Sequence, residues 1–323
     1  MNLASLGRPN GVARVSPLGC NGTSRDILPD MYVGIITYNP KVDRLRDLCL
    51  RLSGENITVF VIDNGSENAV DISSALGAQS GIQVILNEDN LGIAAGINQL
   101  VEVARQAGVR VVMPVDQDSR FDDNYASAML AHFARLRQQL PKLAALGGKV
   151  FDTRKRSYQR FVQFGGSMGN RIKGIANMDY PFVHADFLIT SGTVVSVESI
   201  DQVGPMREEL FIDSVDLEWS FRAKDRGWSL VGCEDIHLYQ EVGVDAIRVP
   251  LLNINVRVHD PLRYYYMTRN RLFLYRQSYV SRNWVLRDFS RALLKFAFLS
   301  VASPLRKQII REHARGMFDS FKL

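Results

Sequence analysis

The sequence predicts an α/β fold, a mainly parallel sheet flanked by helices, with a basic helical C-terminal region after it. Three observations carry this. Short continuous apolar runs alternate with stretches of helical spacing from residue 32 onward, as expected of strands buried on both faces of a helix-covered parallel sheet. Polar clusters stand at the ends of the early runs, where open parallel sheets bind their ligands. Charge is divided along the chain: residues 261–323 hold 13 Lys and Arg against 3 Asp and Glu, and residues 1–260 hold 26 against 31. The net charge of +5 therefore joins a body of −5 to a tail of +10.

Taken in order, residues 1–30 are rich in Gly, Pro, Ser, Asn and Arg without periodicity, and are expected to be a disordered extension. Met31 stands directly before the first strand and is read as the physiological start, which mass spectrometry of the native N-terminus tests. The body, residues 31–260, opens with a strand at 32–37. Leu45, Leu48 and Leu52 give helical spacing over 41–52. A second strand, 57–62, runs into the turn cluster Asp63-Asn64-Gly65-Ser66. A short strand at 84–86, a helix at 93–107 and a strand at 109–115 follow, the last ending in Asp116-Gln117-Asp118-Ser119. Further strands are expected at 144–151, 188–197, 230–233 and 236–239, with a helix over 210–225. From residue 261 Arg and aromatic residues recur at helical spacing.

Composition excludes some classes. With 46% hydrophobic and 23% charged residues, the chain is neither globally disordered nor fibrous. Three cysteines, Cys20, Cys49 and Cys233, are an odd number without CxxC pairing, so a disulfide framework is not expected and a reducing compartment fits. The sequence has no apolar run long enough to span a bilayer and no signal-peptide core near Met1, and a cytoplasmic location is expected.

Several clusters can carry chemistry. Asp116 and Asp118 end a strand at i and i+2 and point the same way, so both carboxylates can converge on one cation. Oxygen-only ligation suits Mg²⁺ or Mn²⁺, with a diphosphate completing the shell; a turn or helix cap is the structural alternative. Asp63 can accept from the imide N–H of a uracil or thymine ring, or form an Asx-turn. Residues 87–98 form a polar loop feeding a helix. There Gly92 and Gly96 permit close backbone approach, and the helix N-terminus suits a diphosphate. No GxGxxG is present, which argues against a nicotinamide cofactor. Asp213, Asp216 and Glu218 fall within six residues. On a helix Asp216 and Glu218 point apart, so they take different jobs, one of them suited to general base catalysis; an acidic first turn is the plain alternative. His237 can complete a metal site with two Asp ligands, or be structural.

With these residues in view, the chain resembles the family 2 glycosyltransferases of the GT-A (Rossmann-like) fold, and among them bacterial rhamnosyltransferases of O-antigen, exopolysaccharide and rhamnolipid synthesis. The resemblance spans about residues 32–275. It rests on Thr37-Tyr38-Asn39, Ile62 to Ser66, Asn90 to Ala94, Asp116 to Ser119, Ser191-Gly192 and the stretch from Phe211 to Ala223. It implies that Thr37, Tyr38, Asn39, Asp63 and Asn64 hold the nucleoside, and that Asn90, Gly92 and Gln117 line the nucleotide-sugar cleft. Asp116, Asp118 and His237 would bind the metal, and Asp216 would be the catalytic base of an inverting transfer. Ser191 and Gly192 would border the donor sugar; Trp219 and Arg222 would shape its pocket or brace the helix. The implied donor is dTDP-L-rhamnose, with UDP-galactofuranose or another nucleotide sugar as the alternative. The implied acceptor is a hydroxyl of a glycan, a lipid-linked oligosaccharide or a glycolipid. A non-catalytic nucleotide-sugar-binding protein of the same fold is the runner-up; Asp116, Asp118, Asp216 and His237 standing together argue against it. A nucleotidyltransferase lacks support, since no basic Gly-rich loop lies near the first strand.

The tail has its own reading. Residues 291–304 are largely apolar, too short to span and suited to lying in an interface, with Arg and Lys on both sides. Peripheral attachment to the anionic cytoplasmic face of the inner membrane is expected; packing on the body or homo-oligomerisation is the alternative. Nucleic acid is not expected as a partner, because no recognised binding module accompanies the basic residues.

Overall fold

The computed structural model describes residues 30–164, 181–240, 245–249 and 254–323. The expected disordered extension lies outside these, apart from its last residue. The first half contains β1 (Met31–Thr37), α1 (Val42–Ser53), β2 (Thr58–Asn64), α2 (Ala69–Leu76), β3 (Ile82–Asn87), α3 (Gly92–Gln106) and β4 (Val111–Asp116). These strands lie in the order β3-β2-β1-β4, all parallel. Their residues alternate into two cores. Val33, Ile35, Val59, Val61, Met113 and Val115 enter one, while Ile36, Phe60, Ile62 and Val112 enter the other. A strand with both faces buried leaves no place for polar residues except its ends, so the polar clusters collect there.

The chain continues through β5 (Arg120–Phe121), α4 (Tyr125–Gln139), β6 (Leu143–Asp152), β7 (Ser157–Tyr158), β8 (Phe182–Ala185), β9 (Val194–Ser196), α5 (Val197–Val203), α6 (Val215–Asp225) and β10 (Ser229–Gln240). The sheet extends as β4-β9-β6-β10-β5. Because β9 runs antiparallel to both β4 and β6, the sheet is mixed but mainly parallel. The pair β11 (Asp245–Val249) and β12 (Ile254–Val258) forms a separate antiparallel ribbon.

Three expectations change in detail. The strand expected over 188–197 contracts to β9, because Ser196 caps α5 by accepting from the Ser199 amide. The two short strands expected near 230 and 236 are one strand, β10, with a register irregularity between Gly232 and His237. The helix expected from residue 210 begins only at Val215. Before it lies a turn in which Phe211, Asp213 and Ser214 take left-handed backbone, a conformation that side chains other than glycine adopt at a cost.

The C-terminal region is helical as expected: α7 (Pro261–Tyr275), α8 (Arg282–Ala302) and α9 (Arg306–Asp319). Asp260 caps α7 through the Leu262 amide and Pro261 opens its first turn. Tyr264, Leu299 and Ile309 join the three helices in one small core. Trp284 of α8 packs edge-on against Phe221 of α6. α7 and the inward side of α8 thus pack on the body. Among the described residues, no helix is long and apolar enough to cross a membrane.

Candidate active site

A cavity of about 470 Å³ opens beyond the carboxyl ends of β1, β2 and β4. Thr37, Tyr38, Asn64, Asn90, Gly92, Asp116, Gln117, Ser191 and Asp216 all line it. They come from six separate stretches of sequence, and the sheet collects them because each follows a strand, begins a helix or, for Ser191, precedes the antiparallel β9 at the same edge.

The nucleoside side is a hydrogen-bonded rim. The Gln117 side chain bridges the Tyr38 backbone, accepting from its N–H at 2.8 Å and donating to its carbonyl at 3.3 Å. Tyr38 is left about half exposed (48%) at the mouth, a free aromatic face. The Asn64 amide donates to the Gly92 carbonyl at 3.1 Å and accepts from Asn87. Asp63, expected to face a pyrimidine, is fully buried behind this rim. Its carboxylate accepts from Thr37 Oγ1 at 2.9 Å, from the Ser66 amide at 2.9 Å and from Ser66 Oγ at 2.5 Å. Asn39, with φ of 48°, donates its N–H to Ser66 Oγ and accepts from the Glu67 amide. In this arrangement Asp63 and Asn39 hold the rim in shape rather than forming the cavity wall.

The loop before α3 also differs from its expected use. The Gly92 N–H donates to Asn90 Oδ1 and the Ile93 N–H to the Phe211 carbonyl. The first two amides of α3 are thus satisfied within the protein, which leaves fewer of that helix end's N–H groups for an anion. Gly92 is required for a different reason: at φ of 82°, a Cβ there would lie 2.5 Å from the Phe211 carbonyl oxygen. Its small size lets the 211–214 turn dock on α3.

The acidic side contains Asp116, Asp118 and Asp216. Burial, with the charge of Asp118 added, pushes Asp116 up to about 6; the Arg263 guanidinium opposes this. Asp118 is exposed beside it. Two carboxylates crowded at a strand end, one desolvated, form a hard oxygen donor set that a divalent cation would relieve, so the residues fit Mg²⁺ or Mn²⁺. Ser191 supports them: its Oγ accepts from the Asp116 amide at 3.0 Å and lies 2.6 Å from Ser119 Oγ. Gly192, at φ of 72°, donates its N–H to the Pro114 carbonyl and sits under the Tyr125 hydroxyl, behind the wall. His237 is outside the residues lining the cavity, although Gln240 on the same strand is among them. Its Nδ1 lies 3.0 Å from Asp122 Oδ2, which leaves Nε2 as the nitrogen available for coordination.

Asp216 sits in the first turn of α6 and accepts from the Leu217 amide at 2.8 Å. Burial pushes it up to about 7 and the charges of Asp213 and Asp116 add to this, against the hydrogen bond from Leu217. A carboxyl poised near neutrality is suited to taking a proton. Glu218 has the separate job its spacing required. It is fully buried, accepting from Arg207 at 3.0 Å, from Arg222 at 2.7 and 2.8 Å, and from the Tyr279 hydroxyl at 2.5 Å. The sugar-pocket role expected of Trp219 and Arg222 is corrected here. Arg222 also donates to the Val203 and Pro205 carbonyls, and Trp219 Nε1 donates to the Gly204 carbonyl. Both brace α6 against the end of α5 and the residues that follow it.

The site also includes residues that the sequence reading did not single out. Arg263, the third residue of α7, lines the cavity and forms a two-pronged ion pair with Asp213, both contacts at 2.9 Å. Asn270, fully buried on α7, donates to the carbonyls of Leu210, Ile212 and Asp213 at 2.8–2.9 Å. Arg269 donates to the Leu210 carbonyl at 3.1 Å, and Tyr266 stacks on Phe211. The left-handed turn preceding Asp216 is therefore clamped by the first helix of the basic tail. No local sequence signal links residues 263–270 to 210–213, 50 or more positions away.

Comparison with known proteins agrees with this geometry. Residues 32–204 match the family described as Glycosyl transferase family 2. A dTDP-rhamnosyl transferase of Shigella flexneri, RfbF, is 27% identical over 294 residues, covering 91% of this chain and 96% of that protein. Among solved structures, S. aureus TarS residues 1–349 in complex with UDP-GlcNAc superposes with a TM-score of 0.55 at 15% identity, covering 90% of this chain and 81% of that one. The chain spans about half of a longer TarS chain, 49%, at a TM-score of 0.52. GalNAc-T7 with UDP, GalNAc and Mn²⁺ gives a TM-score of 0.53 at 14% identity, over 92% of this chain and 56% of that one. These structures share the GT-A glycosyltransferase fold with the present chain.

Proposed function

The chain belongs to glycosyl transferase family 2, and on that premise we propose that it is a metal-dependent inverting rhamnosyltransferase using dTDP-L-rhamnose. The observation that carries the reading is a carboxyl raised to about 7, Asp216, facing the same cavity as the Asp116 carboxyl at the strand end. Similarity to RfbF along nearly its whole length supports the donor. The acceptor is a hydroxyl of a glycan, a lipid-linked oligosaccharide or a glycolipid, and the protein works in the cytoplasm.

The nucleoside rests on the rim of Thr37, Tyr38 and Asn64, which Asn39 and Asp63 hold in shape from behind, with Tyr38 offering its exposed ring to the base. Asn90, Gly92 and Gln117 border the diphosphate, and Ser191, backed by Gly192, forms the floor toward the sugar. Asp116 and Asp118 would hold the Mg²⁺ or Mn²⁺, with His237, whose Nδ1 lies 3.0 Å from Asp122 Oδ2, as the further ligand; when bound, the cation would neutralise charge on the departing diphosphate. Arg263 places a second positive charge on the same side of the cavity. Asp216 removes the proton from the acceptor hydroxyl as its oxygen bonds to the anomeric carbon. The bond from that carbon to the diphosphate breaks on the opposite face, so configuration inverts in a single displacement.

A thermal-shift panel of nucleotide sugars with Mg²⁺ or Mn²⁺ tests this reading. Greater stabilisation by dTDP-L-rhamnose than by dTDP alone supports the donor. Preference for UDP-galactofuranose or another nucleotide sugar would reassign it. Binding without any transfer would leave the non-catalytic reading.

A further inference from the structure

The exposed side of α8 is inverted relative to an ordinary surface helix. Successive residues lie about 100° apart around a helix. One side of α8 turns Trp284 and Leu299 into the protein, and between them Asp288 accepts from Arg271 and from Tyr275. The opposite side carries Leu286, Leu293, Leu294, Ala297 and Val301, with Leu294 71% and Val301 79% exposed. A helix that needed only to pack on the body would present polar residues here. Over about 22 Å of helix the outward strip is aliphatic instead, interrupted only by Ser290. Exposed Arg287 and Arg291 border one edge of it and exposed Arg282 lies toward the other. Beyond it, Phe318 near the end of α9 and Phe321 just after it are 78% and 81% exposed.

We propose that this outward face of α8 docks on a bilayer surface rich in anionic lipid, with the helix lying in the plane of the interface. Charge complementarity selects the occupant. The region has 13 Lys and Arg against 3 Asp and Glu. A second copy would bring the same excess of positive charge against it. Nucleic acid would match the arginines but gain nothing from a strip of leucine and valine. An anionic membrane satisfies both parts: the strip enters the acyl boundary and the arginines meet the headgroups. The face shares no residue with the catalytic cavity, so the proposal stands or falls separately from the transfer reaction.

Flotation of the full chain with phosphatidylcholine vesicles, with and without phosphatidylglycerol, tests it. The chain is expected to float with the anionic vesicles at low salt and to be partly released at high salt. The variants Leu293→Glu/Leu294→Glu are expected to bind about tenfold less, or weaker still, with an unchanged thermal melt because both side chains are exposed. Arg287→Glu/Arg291→Glu is expected to lose the preference for phosphatidylglycerol. Failure of the parent chain to float at low salt would overturn the proposal, as would equal flotation of the leucine variants. A dimer in sedimentation that Leu293→Glu/Leu294→Glu splits into monomers would also overturn it, making the face a self-interface.

Discussion

Replacing Asp216 by Asn tests the chemistry and the electrostatics together. The amide is isosteric, and its Oδ1 can still accept from the Leu217 N–H as the carboxylate does at 2.8 Å. What is lost is the base, which in acid–base catalysis is worth about a hundred- to ten-thousandfold in rate. Folding should respond in the opposite direction. Burial raises Asp216 from 3.8 to about 7 in the folded state. Between about pH 4 and 7 the folded protein therefore holds a proton that the unfolded chain releases, and stability falls as pH rises through that window. The full cost, reached above about pH 7, is at most about 4 kcal/mol, and less because the carboxyl faces an open cavity. Asn removes that cost. The variant should melt like the parent near pH 4 and gain steadily in Tm up to pH 8, while turnover collapses and nucleotide affinity holds. The parent's rate should rise with pH with a midpoint near 7, and any residual rate of the variant should be flat. Near-normal turnover in the variant would refute the assignment of Asp216 as base. A Tm difference that does not grow between pH 5 and 8 would refute the desolvation argument.

Three further substitutions probe the surrounding structure. Asp118→Ala should abolish the metal dependence of turnover yet change stability by less than about 0.5 kcal/mol, since the side chain is exposed; metal titration of activity and a urea melt check both parts. Asn270→Asp replaces a buried donor with a charge facing three carbonyls, and should cost about 3 kcal/mol or more. Its kcat should fall as the turn before Asp216 loosens, with nucleotide affinity largely kept. Gly92→Ala drives a methyl group to 2.5 Å from the Phe211 carbonyl at a φ of 82°, and should lower stability by on the order of 2 kcal/mol in a urea melt.

Much of the site was legible before any coordinates because its signals are local. Apolar periodicity identified the strands of the first half, and a strand buried on both faces can place polar groups only at its ends, so Thr37, Asn64 and Asp116 were found where they stand. Spacing alone separated Asp216 from Glu218, since i and i+2 diverge on a helix. Some readings failed because the sequence names a residue but not its partners. Asp63 looked free to read a base; Thr37 and Ser66 occupy both of its oxygens. For Trp219 and Arg222, read as shaping the sugar pocket or bracing the helix, the carbonyls of Val203, Gly204 and Pro205 select the bracing role. The helix α4 was overlooked even though Tyr125, Met129, Phe133 and Leu136 carry its spacing.

By itself, then, the sequence determined the α/β class, the edge of the sheet where a ligand binds, the acidic pairs and the division of charge. These follow from neighbours along the chain, where periods of two and of 3.6 residues dictate which side chains share a face. Only the tertiary structure decided that the basic tail helps to build the candidate site. Arg263 meets Asp213 and Asn270 holds the turn before Asp216 because α7 packs across that turn, and a contact between residues 50 or more apart is set by packing, which no local period encodes.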